Sequence, residues 1–280
     1  MVSAEGIIRD NAKTLELLER SENERFFAVQ IFASEPRAAA GAVEKLNRYS
    51  PDLYDLNCGC SVPKVLRSGS GAALLRNPRT IGAIVGAMRG QTASLVTVKL
   101  RSGWDLDSIN YLDCAQAAER SGAAMVCLHP RCRSQGFTGR ARLSELKELK
   151  MHCSVPVIGS GDLFTPEDAV RVFQQTGCDG LMFARGALGN PFIFKATKER
   201  LSGKEPAGVP TRHERLETAL KQLELTVKFK GEARACKEMR KHFCYYSKGM
   251  RRGAEFRARV VRAERVEDFL DLVAELCTDR

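Results

Sequence analysis

In the stretch DLNCGCSVPKVLRSGSGAALL, Asp55 to Leu75, two cysteines flank Gly59 where an apolar run gives way to small and basic residues. Cys60 is thus predicted at the tip of a strand, with Asn57 just behind it. The other cysteines, at positions 58, 114, 127, 132, 153, 178, 236, 244 and 277, are scattered. A zinc site wants two close pairs or histidine partners at set spacing. Only Cys58 and Cys60 are that close, so no metal site is expected and the thiols are expected to be reduced. Lys99 ends the apolar run of VTVKLRSGW. Its ammonium suits either of two tasks, stabilising negative charge on a ligand ring or forming a Schiff base. His129, in LHPRCRSQGF, stands beside Arg131 and Arg133, and reads equally as a structural group or a ligand contact. Two glycine-bearing turns follow, with Ser160, Gly161 and Asp162 in VIGSGDLFTPEDAV and Ala184 and Arg185 in GLMFARGALGNPFIF. They are either ordinary turns or, in tandem, a phosphate site built from backbone N–H groups, helix N-termini and an arginine.

These residues need elements to aim them. Apolar runs of strand length occur at 26–32, 53–57, 95–101, 124–129, 155–160 and 180–184, and amphipathic stretches at 35–49, 78–88, 108–121, 144–150 and 166–176 lie between them. Continuous apolar strands alternating with helices predict a parallel sheet covered by helices. An open doubly wound sheet and a closed (β/α)8 barrel both fit. The polar residues decide for the barrel. Gln30, Asn57, Lys99, His129 and Ser160 fall at or near the C-terminal ends of their strands, which converge on one mouth only in a TIM-type barrel. Six strands are visible where eight are needed. MVSAEGII reads as the exit of a further strand, with the missing material expected before Met1.

A chain of 280 residues with 44% hydrophobic and 28% charged residues supports a sizeable core. No apolar run is long enough for a transmembrane helix, and no secretory signal opens the chain, so a cytoplasmic protein without membrane contact is expected. The pattern predicts a barrel over 1–200, a Gly/Pro-bearing linker over 201–210 and a small helical bundle over 211–280. The bundle carries a dense basic block: twelve Lys or Arg against three acids between Lys228 and Arg262. Such a block suggests a polyanion partner, with Lys237, Arg240, Lys241, Lys248, Arg251 and Arg252 as candidate contacts beside Arg131 and Arg133; a solvated helix surface is the plainer reading.

Five segments, DLNCGCSVPKVLRSGSGAALLRNP, VTVKLRSGW, HPRCRSQGFTGRA, GSGDLFTPEDA and TGCDGLMFARGALGNPFIF, resemble in order and spacing the successive motifs of the tRNA-dihydrouridine synthases. The tail LELTVKFKGEARACKEMRKHFCYYSKGM resembles that family's RNA-binding domain, so the likeness runs along essentially the whole chain. It implies FMN-dependent reduction of uridine to dihydrouridine in tRNA, with NADPH as reductant; a monomer is expected. Position by position, Cys60 matches the proton-donating cysteine and Asn57 the asparagine near flavin and target base. Gln30 and Lys99 match flavin-ring contacts, His129 the histidine facing the cofactor, and Ser160, Gly161, Asp162, Ala184 and Arg185 the phosphate loops. The chemistry agrees with that assignment. Saturating a uracil C5–C6 bond takes a hydride and a proton, and an unperturbed thiol, pKa ~8.5, is mostly protonated at neutral pH.

The chain departs from the family pattern in several places. It shows no opening strand with an Ala-Pro-Met motif. Ser61 stands for a proline, Pro130 for a glycine, Ser160 for an asparagine and Ala184 for a glycine. Two other readings follow: a different FMN barrel oxidoreductase acting on a small molecule, or a catalytically impaired tRNA-binding homologue. The basic tail argues against the first, and the flavin content of the protein separates the second.

Overall fold

A computed structural model describes residues 1–21, 23–205 and 208–278. The chain divides into two compact units, one of residues 1–162 and 171–182, the other of residues 163–170 and 183–280. Part of the expected linker, positions 206 and 207, lies outside the described residues.

The first unit is built on seven strands: β1 (Val2–Ser3), β2 (Ala28–Phe32), β3 (Leu53–Cys58), β4 (Leu95–Arg101), β5 (Val126–His129), β6 (Val157–Ser160) and β7 (Gly180–Met182). Each pairs in parallel with the next, in strict sequence order. The intervening helices are α1 (Ala4–Ile8), α2 (Ala12–Leu15), α3 (Pro36–Leu46), α4 (Pro63–Arg67), α5 (Pro78–Arg89), α6 (Tyr111–Arg120), α7 (Leu143–His152) and α8 (Pro166–Thr176), of which α8 up to residue 170 is counted with the second unit. Sequential parallel strands with helical crossovers are the pattern of a TIM-type barrel. The described residues supply seven strands, one more than the apolar runs predict. The additional one, β1, is only two residues long and pairs Val2 with Ile31 and Ser3 with Phe32.

Side chains alternate along a strand, and paired residues in neighbouring strands point the same way. One face of the sheet carries Val29, Ile31, Tyr54, Leu56, Cys58, Val96, Val98, Leu100, Val126, Leu128 and Val157, all buried. They pack with the apolar stripes of α3 (Ala39, Ala42, Val43, Leu46), α5 (Ile81, Ile84, Val85, Met88) and α6 (Cys114, Ala115, Ala118). Fully burying each such side chain stabilises by ~1.5–3 kcal/mol, which fixes the register of every strand. The opposite face then takes the intervening residues, among them the polar Gln30, Asp55, Asn57, Thr97, Lys99, Arg101 and His129.

The second unit contains α9 (Ile193–Leu201), α10 (Arg212–Lys230), α11 (Glu232–Tyr246), α12 (Gly253–Val260) and α13 (Val266–Thr278). A capping box joins Thr211 and Glu214 at the start of α10, and Gly231, at φ +74°, ends it where the sequence predicts a stop. Leu216, Leu223, Met239, Phe243, Phe256, Val260, Phe269 and Val273 form the core of this helical bundle, with the Phe243 and Phe269 rings 4.8 Å apart.

Candidate functional site

The polar face of the sheet is a single registered surface. Gln30 pairs with Asp55 and Asp55 with Thr97; Asn57 pairs with Lys99 and Lys99 with Cys127; Arg101 pairs with His129. Four of the residues predicted from strand ends, Gln30, Asn57, Lys99 and His129, therefore share one face. Asp55 and Arg101 join them there and were not singled out by the sequence reading. The period-2 alternation of Asp55 with Asn57, and of Thr97 with Lys99 and Arg101, was the available signal.

A chain of hydrogen bonds crosses this face. Thr97 Oγ1 donates to Asp55 Oδ1 (2.7 Å), Gln30 Nε2 to Asp55 Oδ2 (2.7 Å), and Asn57 Nδ2 to Gln30 Oε1 (2.9 Å). Asn57 Oδ1 then accepts from the backbone N–H groups of Gly59 (3.2 Å) and Cys60 (2.9 Å). Burial raises the Asp55 carboxyl above its ordinary range, against the bonds from Gln30 and Thr97 and the charge of Lys99. Cys60 is thus held at the end of β3 by a side chain anchored in the sheet. It is half-buried, whereas Cys58, on the helix-covered face, is fully buried and its thiol is pushed well up by desolvation. The Cys60 carbonyl accepts from Ala72 (3.0 Å), closing the loop that follows.

Arg101 ties that loop to its neighbour. Its Nε donates to the Gly59 carbonyl (3.0 Å), and its Nη1 to the carbonyls of Cys132 and Gly136 (3.0 Å each). Burial and the nearby Arg131 charge pull the guanidinium below its ordinary range. His129 is pushed down to about 3, first by burial and then by the charges of Arg101, Lys99 and Arg131, so its imidazole is neutral at physiological pH.

Arg131 does not lie on an RNA-facing surface as expected. It is 1% exposed, and its Nη2 donates to Asp162 Oδ2 (2.7 Å) and the Gly139 carbonyl (2.7 Å). A buried guanidinium needs such partners, and the two residues after His129 turn it inward to find them. Asp162 is likewise occupied through its side chain: Oδ2 also accepts from the Ala141 N–H (2.8 Å). A carboxylate placed there anchors loops, and any contact of Asp162 with an anion is left to its backbone. Ser160 is buried at the end of β6. Gly161 follows at φ +112°, where an added Cβ would come 2.8 Å from His129 Cδ2, so only glycine fits beside the imidazole.

The remaining predicted residues are distributed between the two units. Arg133 is in the first, half-buried over Trp104. Ala184 and Arg185 are in the second, where the Arg185 guanidinium stands 5.2 Å from the Phe164 ring. Also in the second unit, Asp168 Oδ2 accepts from Phe164 and Thr165 (3.0 Å each) and so occupies N–H groups at the start of α8. Lys237, Lys241, Lys248 and Arg251 are exposed on the helical unit. Arg240 is half-buried, its Nε donating to the Ala263 carbonyl (2.8 Å), and Arg252 pairs with Glu255 (2.9 Å).

The family model described as Dihydrouridine synthase (Dus) matches residues 1–279. The chain belongs to the dihydrouridine synthase family. Among curated relatives, it is 38% identical to a probable tRNA-dihydrouridine synthase of Treponema pallidum, over 99% of this chain and 84% of the relative. It is 34% identical to probable tRNA-dihydrouridine synthase 1 of Synechocystis, over 99% of this chain and 79% of the relative. A probable tRNA-dihydrouridine synthase of Aquifex aeolicus is 33% identical, over 98% and 86%. In this dihydrouridine synthase, an oxidoreductase by family, the polar sheet face and the Cys60 loop form the candidate active site. Among the described residues no group of three His, Cys, Asp or Glu side chains is placed to hold a metal ion, and no helix is long and apolar enough to cross a membrane.

Proposed function

We propose that the chain reduces uridine to 5,6-dihydrouridine in tRNA, using FMN with NADPH as reductant, in the cytoplasm and as a monomer. The observation that carries this reading is the placement of Cys60: a half-exposed thiol, held through Asn57 at the end of the polar sheet face that also bears Lys99 and His129. A reaction that adds hydrogen to a ring needs an acid beside the ring, and this face supplies it.

The residues fit an FMN group. A flavin ring gains negative charge when reduced, and Lys99, which makes no ion pair among the described residues, presents an ammonium on the same face as Asn57. His129 is held neutral and so contacts a ring without adding a competing charge. Gly161 keeps the backbone beside His129 free of a side chain. We assign Gln30, Asn57, Lys99 and His129 to the ring and the Ser160–Gly161–Asp162 turn to the phosphate. The assignment of Ala184 and Arg185 to the phosphate rests on motif order alone. Bound FMN, with NADPH as reductant, would supply the hydride. Cys60 holds a proton at Sγ for the other ring carbon, and Asn57 and Arg101 orient its loop. The target base leaves its stack to reach the thiol. Lys237, Lys241 and Lys248 give the helical unit cations for RNA phosphates.

Cys60→Ala tests the proposal. The variant should carry flavin and bind unmodified tRNA as the parent does, and form no dihydrouridine in the presence of NADPH. Undiminished turnover in that variant removes Cys60 from the chemistry. A parent protein that shows no flavin absorbance after incubation with FMN refutes the cofactor assignment.

A further inference from the structure

Trp104 is the chain's single tryptophan, and the chemistry above does not use it. It is half-buried in the loop after β4. The guanidinium carbon of Arg76 lies 3.5 Å from its ring centroid and that of Arg133 4.2 Å. Two guanidinium groups at those heights would overlap if they shared one face, so the indole is sandwiched between them. The three residues come from three different loops. Arg76 ends the 3-10 turn Gly71–Arg76 on the loop that carries Cys60, and Arg133 lies on the loop after β5.

The loops are tied together by bonds that do not involve the stack. Arg133 N donates to the Gly103 carbonyl (2.9 Å), Ser134 N to the Trp104 carbonyl (3.0 Å), and Asn110 Nδ2 to the Leu75 carbonyl (2.7 Å). The stack is therefore held in place at the C-terminal ends of β3, β4 and β5. A surface cation–π contact contributes ~0.5–1 kcal/mol, whereas two like charges facing each other across one ring repel. Among the described residues neither arginine forms an ion pair with a carboxylate, and Asp105, next to Trp104, is taken by Ser108 (2.6 Å). The arrangement keeps two cations close without neutralising them.

We propose that Arg76, Trp104 and Arg133 form a phosphate clamp for the RNA strand adjoining the uridine presented to Cys60. This rests on the tRNA reading given above and extends it to a second contact site on the first unit. Because both faces of the indole are covered, no nucleobase can stack on it. The outward N–H edges of the guanidinium groups match phosphate oxygens in pairs. The clamp thus grips the backbone without regard to sequence, and the indole spaces the two cations.

The tryptophan also reports on the site, because the protein's indole emission comes from this residue alone. Titration of the flavin-loaded protein with unmodified tRNA, oligouridylate and oligoadenylate should change that emission saturably, with the two homopolymers binding within about threefold of each other. In the double variant Arg76→Ala/Arg133→Ala, tRNA affinity should fall at least tenfold. The slope of log K against log salt should become shallower by about 1.4, since each single-strand phosphate contact contributes ~0.7. If the alanine variant melts at a lower temperature than the parent, Arg76→Gln/Arg133→Gln, which keeps side-chain length and removes the charges, takes its place. Unchanged affinity and slope in a normally melting variant would reduce the stack to a structural contact and overturn the clamp while leaving the tRNA reading standing. A parent that binds no RNA at all would end both. A uridine preference abolished by the substitutions would replace phosphate gripping with base readout and overturn the clamp as stated.

Discussion

Arg131 Nη1 lies 3.3 Å from His129 Nε2, two residues back along the chain. A guanidinium only donates, so Nε2 must accept and the imidazole proton must sit on Nδ1. Arg131, itself buried and paired with Asp162, thereby sets the tautomer of the histidine on the polar face, while burial first, and then the charges of Arg101, Lys99 and Arg131, keep the ring neutral.

That relationship has a pH consequence. The His129 pKa is about 3 in the folded chain, against 6.5 for a free histidine. The unfolded chain therefore binds a proton between these values that the native chain refuses. The His129 contribution to stability is complete above about pH 6.5 and is lost as pH falls toward 3. Nitrogen-15 NMR of the four histidines, with His129→Gln for assignment, should show one neutral Nδ1–H ring persisting at pH 5. A ring at this position that titrates near 6.5 would contradict its burial among cations, and a proton on Nε2 would contradict the Arg131 contact.

Much of this site was legible in the sequence, for a simple physical reason. A strand covered by helices on one face must be apolar at every second position, so a polar residue inside an apolar run declares the other face. β4 was readable over its full length, Leu95–Arg101, and Lys99 stood out within it. Arg101 follows the same alternation, but at the end of a strand an arginine also reads as the start of a solvated loop. Arg131 was misplaced on similar grounds: arginine is seldom fully buried unless paired. Its partner, Asp162, is thirty-one positions away, beyond what local pattern reveals. β1 falls in MVSAEGII, which reads as a strand exit, but a two-residue strand carries no periodicity, and its bounds come from its pairing with β2.

Asn57 links the sheet to the thiol, and its loss should separate binding from chemistry. In Asn57→Ala the N–H groups of Gly59 and Cys60 lose their shared acceptor, and Gln30 loses a donor. Removing hydrogen bonds of this kind costs ~1–3 kcal/mol locally. Cys60 should then react faster with iodoacetamide, read by mass spectrometry, while dihydrouridine formation falls at least tenfold and tRNA affinity changes little. An alkylation rate equal to the parent's would mean that the Arg101 tie to Gly59 suffices to hold the loop.

Gly189 offers a test within the helical unit that owes nothing to catalysis. Its φ is +66°, and an added Cβ would stand 2.5 Å from the Tyr245 carbonyl carbon and 2.6 Å from the Tyr246 nitrogen. Those atoms belong to the last turn of α11, and the Tyr246 side chain is buried in the helical core, its hydroxyl donating to Gln222 Oε1 (3.0 Å). The helix end cannot yield without disturbing that core. Gly189→Ala should therefore combine backbone strain with overpacking, a loss of roughly 2–4 kcal/mol in urea unfolding. Gly203, at φ +73° with nothing within 4 Å of an added Cβ, isolates the backbone cost. Gly203→Ala should lose only about 1 kcal/mol. Equal losses in the two variants would show that α11 shifts freely and that its exposed face, with Lys237 and Lys241, is not held by the turn at Gly189.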